Sequence, residues 1–203
     1  MAPEVRGTSL RVVAAAITCL AAVACSAIGF LRVASAAELQ PWTAGTYAPF
    51  SLPDVKGTPI ALGSYRGHVV LVHFFATWCE PCLTELPALG RLAARGAGKI
   101  KVLAISVAED DSRVRRFLQT TPVDFPVALD GDRAVAKAWG VFTLPTTIVL
   151  DARSDPRLMA PADFDWDSID PGELAATIAR APVDGTNAPT TSNYTEKLPH
   201  RGG

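Results

Sequence analysis

An excess of charge of either sign is missing from this sequence. Its 203 residues hold 19 Lys and Arg against 20 Asp and Glu, and setting residues 1–36 aside leaves 16 basic and 19 acidic side chains. No basic field is available for nucleic acid, and a chain that is 49% hydrophobic is not a disordered one. Cysteine and histidine are scarce, at four and three residues. Cys19 and Cys25 lie in an apolar run where they read as small apolar residues, although Ala24 before Cys25 suits a lipid-modification box that Ala22 does not complete. Beyond that run only Cys79 and Cys82 remain, too few for a disulfide framework or a four-cysteine metal site. A calcium loop fails as well: Asp163, Asp165 and Asp167 alternate, but Ser168 and Leu174 stand where Gly and Glu are required. No internal repeat is visible, and no cofactor is expected.

Long apolar runs are also absent after the head. Val12 to Leu31 is uncharged and follows Arg6 and Arg11. Such a segment meets a membrane, either as a signal peptide cut after Ala34-Ser35-Ala36 or as an uncleaved anchor long enough to span a bilayer core. Both place the remainder outside the cytoplasm, in a bacterial periplasm with possible anchoring to the inner membrane. Residues 37–47 read as linker, 48–181 as one domain of ordinary size, and 182–203, rich in Thr, Asn, Pro and Gly, as a disordered tail. The mature domain is expected to begin near Gln40.

Within the domain, Phe50-Ser-Leu and Pro59-Ile-Ala-Leu flank a turn at Gly57, which predicts a small hairpin. Val69 to Ala76 is a strand buried on both faces, and Leu83, Leu86, Leu89 and Leu92 continue in helical period. Ile100–Val107, Phe125–Leu129 and Thr146–Leu150 read as strands, Ser112–Gln119 and Arg133–Trp139 as helices, and Arg157–Ala162 as a last edge strand. Asp170-Pro171-Gly-Glu173 has the pattern of a capping box opening a helix to about Arg180. This alternation predicts an α/β domain with a central mixed sheet flanked by helices and an N-terminal β-hairpin extension. Trp166 and its neighbouring acids are expected on the polar approach to the last helix, and Arg113, Arg115 and Arg116 on a solvated helix face.

Cys79 and Cys82 are separated by Glu80 and Pro81, after Trp78. Two intervening residues put both sulfurs on the first turn of a helix, close enough for a reversible disulfide. The N-terminal N–H groups and helix dipole favour the Cys79 thiolate, making it the nucleophile. Cys82, one turn in, is the resolving thiol. Glu80 places a negative charge beside the nucleophile and opposes thiolate formation, and Pro81 suits an early helical position. A static disulfide is the structural alternative, but so short a loop gains little by closure. A copper-binding metallochaperone using Cys79, Cys82 and His73 is a second alternative. A thiol peroxidase is a third, opposed by Ala76 and Val72 where Thr and Pro are wanted.

Together Val69 to Pro87 (VVLVHFFATWCEPCLTELP) resembles the TlpA/ResA-like thiol-disulfide oxidoreductases of the thioredoxin superfamily. The likeness extends from the leading hairpin through Gly67, Pro87 and Thr143-Leu-Pro-Thr-Thr147. It implies a thioredoxin-like fold, a cis Leu144–Pro145 bond opposite the cysteines with the Leu144 backbone binding substrate, disulfide-bearing protein substrates, and a membrane thiol transporter as electron donor. It also implies a reductant in cytochrome c maturation or of copper-site cysteines. Two positions depart from the pattern. Where thioredoxins carry an Asp beneath the resolving thiol this chain has His73, and where they carry a neighbouring Lys it has Ala104. His73 is read as the base for Cys82, with resolution depending on pH around 6 to 7 if its pKa moves only modestly from about 6.5; a core histidine is the alternative. The usual Gly turn after the following strand is replaced by Asp151-Ala-Arg-Ser-Asp-Pro156, which puts the final hairpin in question.

Overall fold

A computed structural model describes residues 38–43, 47–160 and 164–180. The expected membrane-facing run and the expected tail lie outside them, and no helix among the described residues is long and apolar enough to cross a membrane.

In chain order the elements are β1 (Gln40–Pro41), β2 (Ser51–Pro53), β3 (Pro59–Ala61), a 3₁₀ turn (Leu62–Tyr65), β4 (Val69–Phe75), α1 (Glu80–Arg95), β5 (Ile100–Val107) and α2 (Asp111–Thr120). There follow β6 (Val127–Asp130), α3 (Ala134–Ala138), β7 (Thr146–Leu150), β8 (Pro156–Ala160) and α4 (Pro171–Arg180). The main sheet runs β1-β8-β7-β4-β5-β6, while β2 and β3 pair as a separate hairpin. β4, β5 and β6 are parallel; β7 and β8 run antiparallel to their neighbours. The predicted mixed sheet with an N-terminal hairpin is therefore the architecture observed.

All seven residues of β4 are buried, and the period of two divides them between two layers. Val70, Val72 and Phe74 pack with Leu103, Ile105 and Trp139 on one face. Leu71 and Phe75 face the other way, toward Leu89 and Leu92 of α1 and toward Cys79, Cys82 and Leu86 respectively. The central strand thus puts odd-numbered residues, His73 among them, beneath the helix that carries the cysteines.

The N-terminal extension is docked by aromatics. Tyr47, Phe50 and Phe74 surround the Trp139 ring at centroid distances of 5.4–6.0 Å, and Trp139 Nε1 donates to the Ala48 carbonyl at 3.0 Å. In the hairpin, Gly57 takes φ 82°, and the Asp54 carboxylate accepts the Lys56 and Thr58 N–H groups. A bridge from Asp54 to Ala128 covers part of the β6 edge.

Several expectations need correction. The stretch read as linker contributes β1, which pairs with β8, and Trp42 after it is buried. β8 is consequently an inner strand. The doubtful final hairpin forms without a turn glycine: Ser154 adopts φ 73°, and the Asp151 carboxylate accepts N–H bonds from Arg153 and Asp155 and from the Arg157 guanidinium. Burial raises the Asp151 pKa, but the Asp155 N–H and the Arg157 partner outweigh it and hold the carboxyl below its ordinary value. Trp166, expected at the surface, is fully buried. The arginines expected on a solvated face are exposed as expected, though two also make contacts: Arg113 reaches back to Thr77 and Glu109, and Arg115 donates to the Val55 carbonyl at 2.7 Å. The capping box is present in its first half, with the Glu173 N–H donating to Asp170 Oδ1 at 2.7 Å.

Candidate active site

The site lies where β4 hands over to α1. Cys79 is the N-cap of α1, with extended backbone, and Glu80 opens the helix with Pro81 in its first turn. Proline is tolerated there because the first N–H groups of a helix have no internal acceptor. Cys79 and Cys82 are joined as a disulfide with Cα atoms 5.3 Å apart. Cys82 is sealed and Cys79 is 5% exposed, so the first sulfur lies nearer the surface and the second behind it. Glu80 and Pro81 are exposed, and Trp78 is 65% exposed.

Opposite, the Leu144–Pro145 peptide is cis. Leu144 packs against the cluster that holds both cysteines, and Thr146 immediately after Pro145 pairs with Phe74 of β4. The topology thus brings residues 144 and 145 to the cysteines, as the resemblance implied. Phe142, in the same loop, is 79% exposed.

His73 lies between Ala104 and Thr147 in the sheet register, so the neighbouring strand does carry an apolar residue where thioredoxins place a Lys. Its ring is fully buried; Nδ1 is 2.9 Å from Thr147 Oγ1, and Nε2 has no hydrogen-bond partner. Burial takes the His73 pKa down to about 3. The expected dependence around pH 6 to 7 is therefore corrected: the imidazole is neutral across that range, and too weak a base to titrate in it.

Two residues at this site escaped the reading from sequence. Glu85 is three positions past Cys82, on the same face of α1 one turn along, and is buried. Its carboxylate accepts Trp166 Nε1 at 2.9 Å and the Phe164 N–H at 3.3 Å, with His73 Nδ1 3.8 Å away. The second is Glu109, just after β5. It accepts the Thr77 N–H at 2.8 Å, the Thr77 hydroxyl at 2.5 Å and the Ser106 hydroxyl at 2.8 Å. The only signal for Glu85 was its i+3 spacing from a cysteine whose face is otherwise apolar.

No group of three metal-ligating side chains forms among the described residues. What the arrangement can do is two-electron exchange between a dithiol and a disulfide.

A disulfide at the start of the helix, a cis-proline loop beside it and a mixed sheet beneath define a thiol-disulfide oxidoreductase of thioredoxin-like architecture. Residues 44–155 match the AhpC/TSA family, and the chain belongs to that family. It is 32% identical over 132 residues to the thiol-disulfide oxidoreductase ResA of Bacillus thuringiensis subsp. konkukian, covering 64% of this chain and 76% of that protein. To ResA of Bacillus subtilis it is 37% identical over 109 residues, 53% of this chain and 61% of that one. Among solved structures, one described as a thiol:disulfide interchange protein DsbE from Chlorobium tepidum aligns with a TM-score of 0.57 at 27% identity, over 68% of this chain and 96% of that one. A secreted Mycobacterium tuberculosis disulfide oxidoreductase shares the fold at TM-score 0.52 and 20% identity, over 64% and 94% of the two chains. The ResA-like resemblance read from the sequence holds.

Proposed function

We propose that this protein is an extracytoplasmic protein-disulfide reductase. The observation that carries the reading is the asymmetry of the pair: Cys79 at the edge, Cys82 sealed behind it. In the reduced form the Cys79 thiolate attacks a client disulfide, forming a mixed disulfide and releasing one client thiolate, which takes up a proton. Cys82, deprotonated, then attacks Cys79 Sγ; the second client sulfur leaves, and Cys79–Cys82 closes. The client gains two electrons and this protein loses them. Leu144, beside the cis Pro145, offers backbone to an extended client segment in β-strand fashion.

The proton of Cys82 has two buried groups below it, Glu85 and His73. A neutral imidazole 3.8 Å from a carboxylate lets the pair share a proton taken from the resolving thiol, with His73 acting through Glu85 rather than as a free base. Glu80 favours the reducing direction, because its charge beside Cys79 destabilises the thiolate relative to a strong oxidant.

Clients are disulfides of cytochrome c maturation or of copper sites, and a membrane thiol transporter restores the dithiol. The apolar run Val12 to Leu31 behind Arg6 and Arg11 supports export or anchoring. The test is Cys82→Ser expressed in the native host, with mixed disulfides on Cys79 identified by mass spectrometry. Recovery of cytochrome or copper-site proteins is expected; recovery of none overturns the client assignment. Equilibration with glutathione should give a potential clearly more negative than about −120 mV, the value of DsbA. A value near that figure would make the protein an oxidant.

A further inference from the structure

Glu109 is 8% exposed and lies outside the cysteine helix, yet it reaches the segment that leads into it. One carboxylate oxygen accepts the Thr77 N–H and the Ser106 hydroxyl, and the other accepts the Thr77 hydroxyl, with Arg113 Nε 3.2 Å away. Arg113 Nε also donates to Thr77 Oγ1 at 3.0 Å. Four donors from β5, α2 and the β4–α1 loop converge on one anion, and charge-assisted bonds of this kind are the strong ones. The residue they hold, Thr77, directly precedes Trp78. Trp78 in turn directly precedes the nucleophile, and it is the one exposed indole among four: Trp42, Trp139 and Trp166 are all buried. An exposed indole on a loop is useful for docking only if the loop does not have to be ordered at the moment of binding.

We propose that Glu109 is a positioning residue for client docking: its carboxylate, steadied by Ser106 and Arg113, fixes Thr77 and so holds Trp78 ready for the polypeptide around a client disulfide. This rests on the reading of protein disulfides as substrates. It predicts that Glu109 matters for polypeptide clients and much less for a disulfide too small to touch Trp78.

The test compares the rate constants for reducing insulin and oxidised glutathione in the wild type, Glu109→Ala and Glu109→Gln. The Gln variant keeps the shape of the side chain should the Ala variant fold poorly; either orientation of its amide sets a donor against Thr77 N–H or Arg113 Nε. The ratio of the insulin rate to the glutathione rate should fall about tenfold, through KM, in line with the cost of a displaced positioning group. Trp78→Ala should lower the same ratio, and added to Glu109→Gln should lower it little further, as expected for two residues acting as a unit. A ratio equal to that of the wild type, or independent and multiplying effects of the Trp78 and Glu109 substitutions, overturns the proposal. If the wild type itself turns over no insulin, the reductase reading fails instead.

Discussion

Two buried carboxylates flank the cysteines, and they are unlike. Glu109 is met by hydroxyls, a backbone N–H and a guanidinium, all of them donors. Glu85 is met by an indole N–H, a backbone N–H and an imidazole that itself has an unpartnered nitrogen. The first environment gives each carboxylate oxygen its donors and is suited to holding geometry. The second contains two groups able to exchange a proton and a polar atom left without a partner, a cost that a purely structural network avoids. The roles proposed for them differ accordingly: position for Glu109, proton handling for Glu85 with His73.

The largest expected effect tests the Glu85 side. Glu85→Ala leaves the buried Trp166 Nε1 and Phe164 N–H without this acceptor. At roughly 1–3 kcal/mol per buried unsatisfied group, a loss of about 3 kcal/mol is expected. Urea denaturation with an unchanged slope would measure it. Resolution of the mixed disulfide should slow in the same variant while the first attack by Cys79 proceeds. A variant that loses stability but resolves normally would make Glu85 as purely structural as an ordinary buried ion, and the contrast with Glu109 would collapse.

The next effect is a dependence on pH. The folded His73 pKa of about 3 lies below the ordinary value of about 6.5 that the unfolded chain retains. Between these values the unfolded chain binds a proton that the folded one refuses. Stability from this group is therefore full above about pH 6.5 and is lost as pH falls toward 3, at a rate approaching 1.4 kcal/mol per pH unit, an order-of-magnitude figure. His73→Asn should remove that slope. The difference between wild type and variant is best read from pH 6.5 to 5, above the range in which most carboxylates titrate. Parallel stability curves would show that His73 is accessible to protons in the fold, contrary to its complete burial.

How far these sites were legible differs by kind of signal. The bounds of β5 and β7 follow directly from continuous apolar or β-branched runs, and the CxxC announces its own helix start. β1 was invisible because two residues carry no period, and its absence made β8 look like an edge. Trp166 was misplaced because the acids around it are read as surface, whereas Asp167 turns outward to Arg91 while the indole turns inward to Glu85. The pairing with Arg91 holds the Asp167 carboxyl below its usual range. Glu85 and Glu109 share the deepest obstacle. A carboxylate next to a cysteine turn or after a strand looks the same in sequence whether water or protein surrounds it, and only tertiary packing decides.

The smallest expected effect lies at the rim of the Glu109 cluster and asks what that cluster is made of. Arg113 is 54% exposed while the Glu109 side chain is 2% exposed. Arg113→Ala removes one donor and leaves Thr77 N–H, the Thr77 hydroxyl and the Ser106 hydroxyl on the carboxylate. An ion pair with one partner in water contributes roughly 0.2–1 kcal/mol, so a loss under about 1 kcal/mol is expected in urea. What little it contributes should shrink further in high salt, since the guanidinium side is open to screening. Reduction of insulin relative to glutathione should stay close to wild type, because Thr77 keeps both of its bonds to Glu109. A loss of several kcal/mol, or a fall in that ratio matching Glu109→Ala, would mean that the cation rather than the buried donors holds the loop. The satisfied side of the comparison would then be an exposed salt bridge, and its preorganisation of Trp78 would weaken with ionic strength.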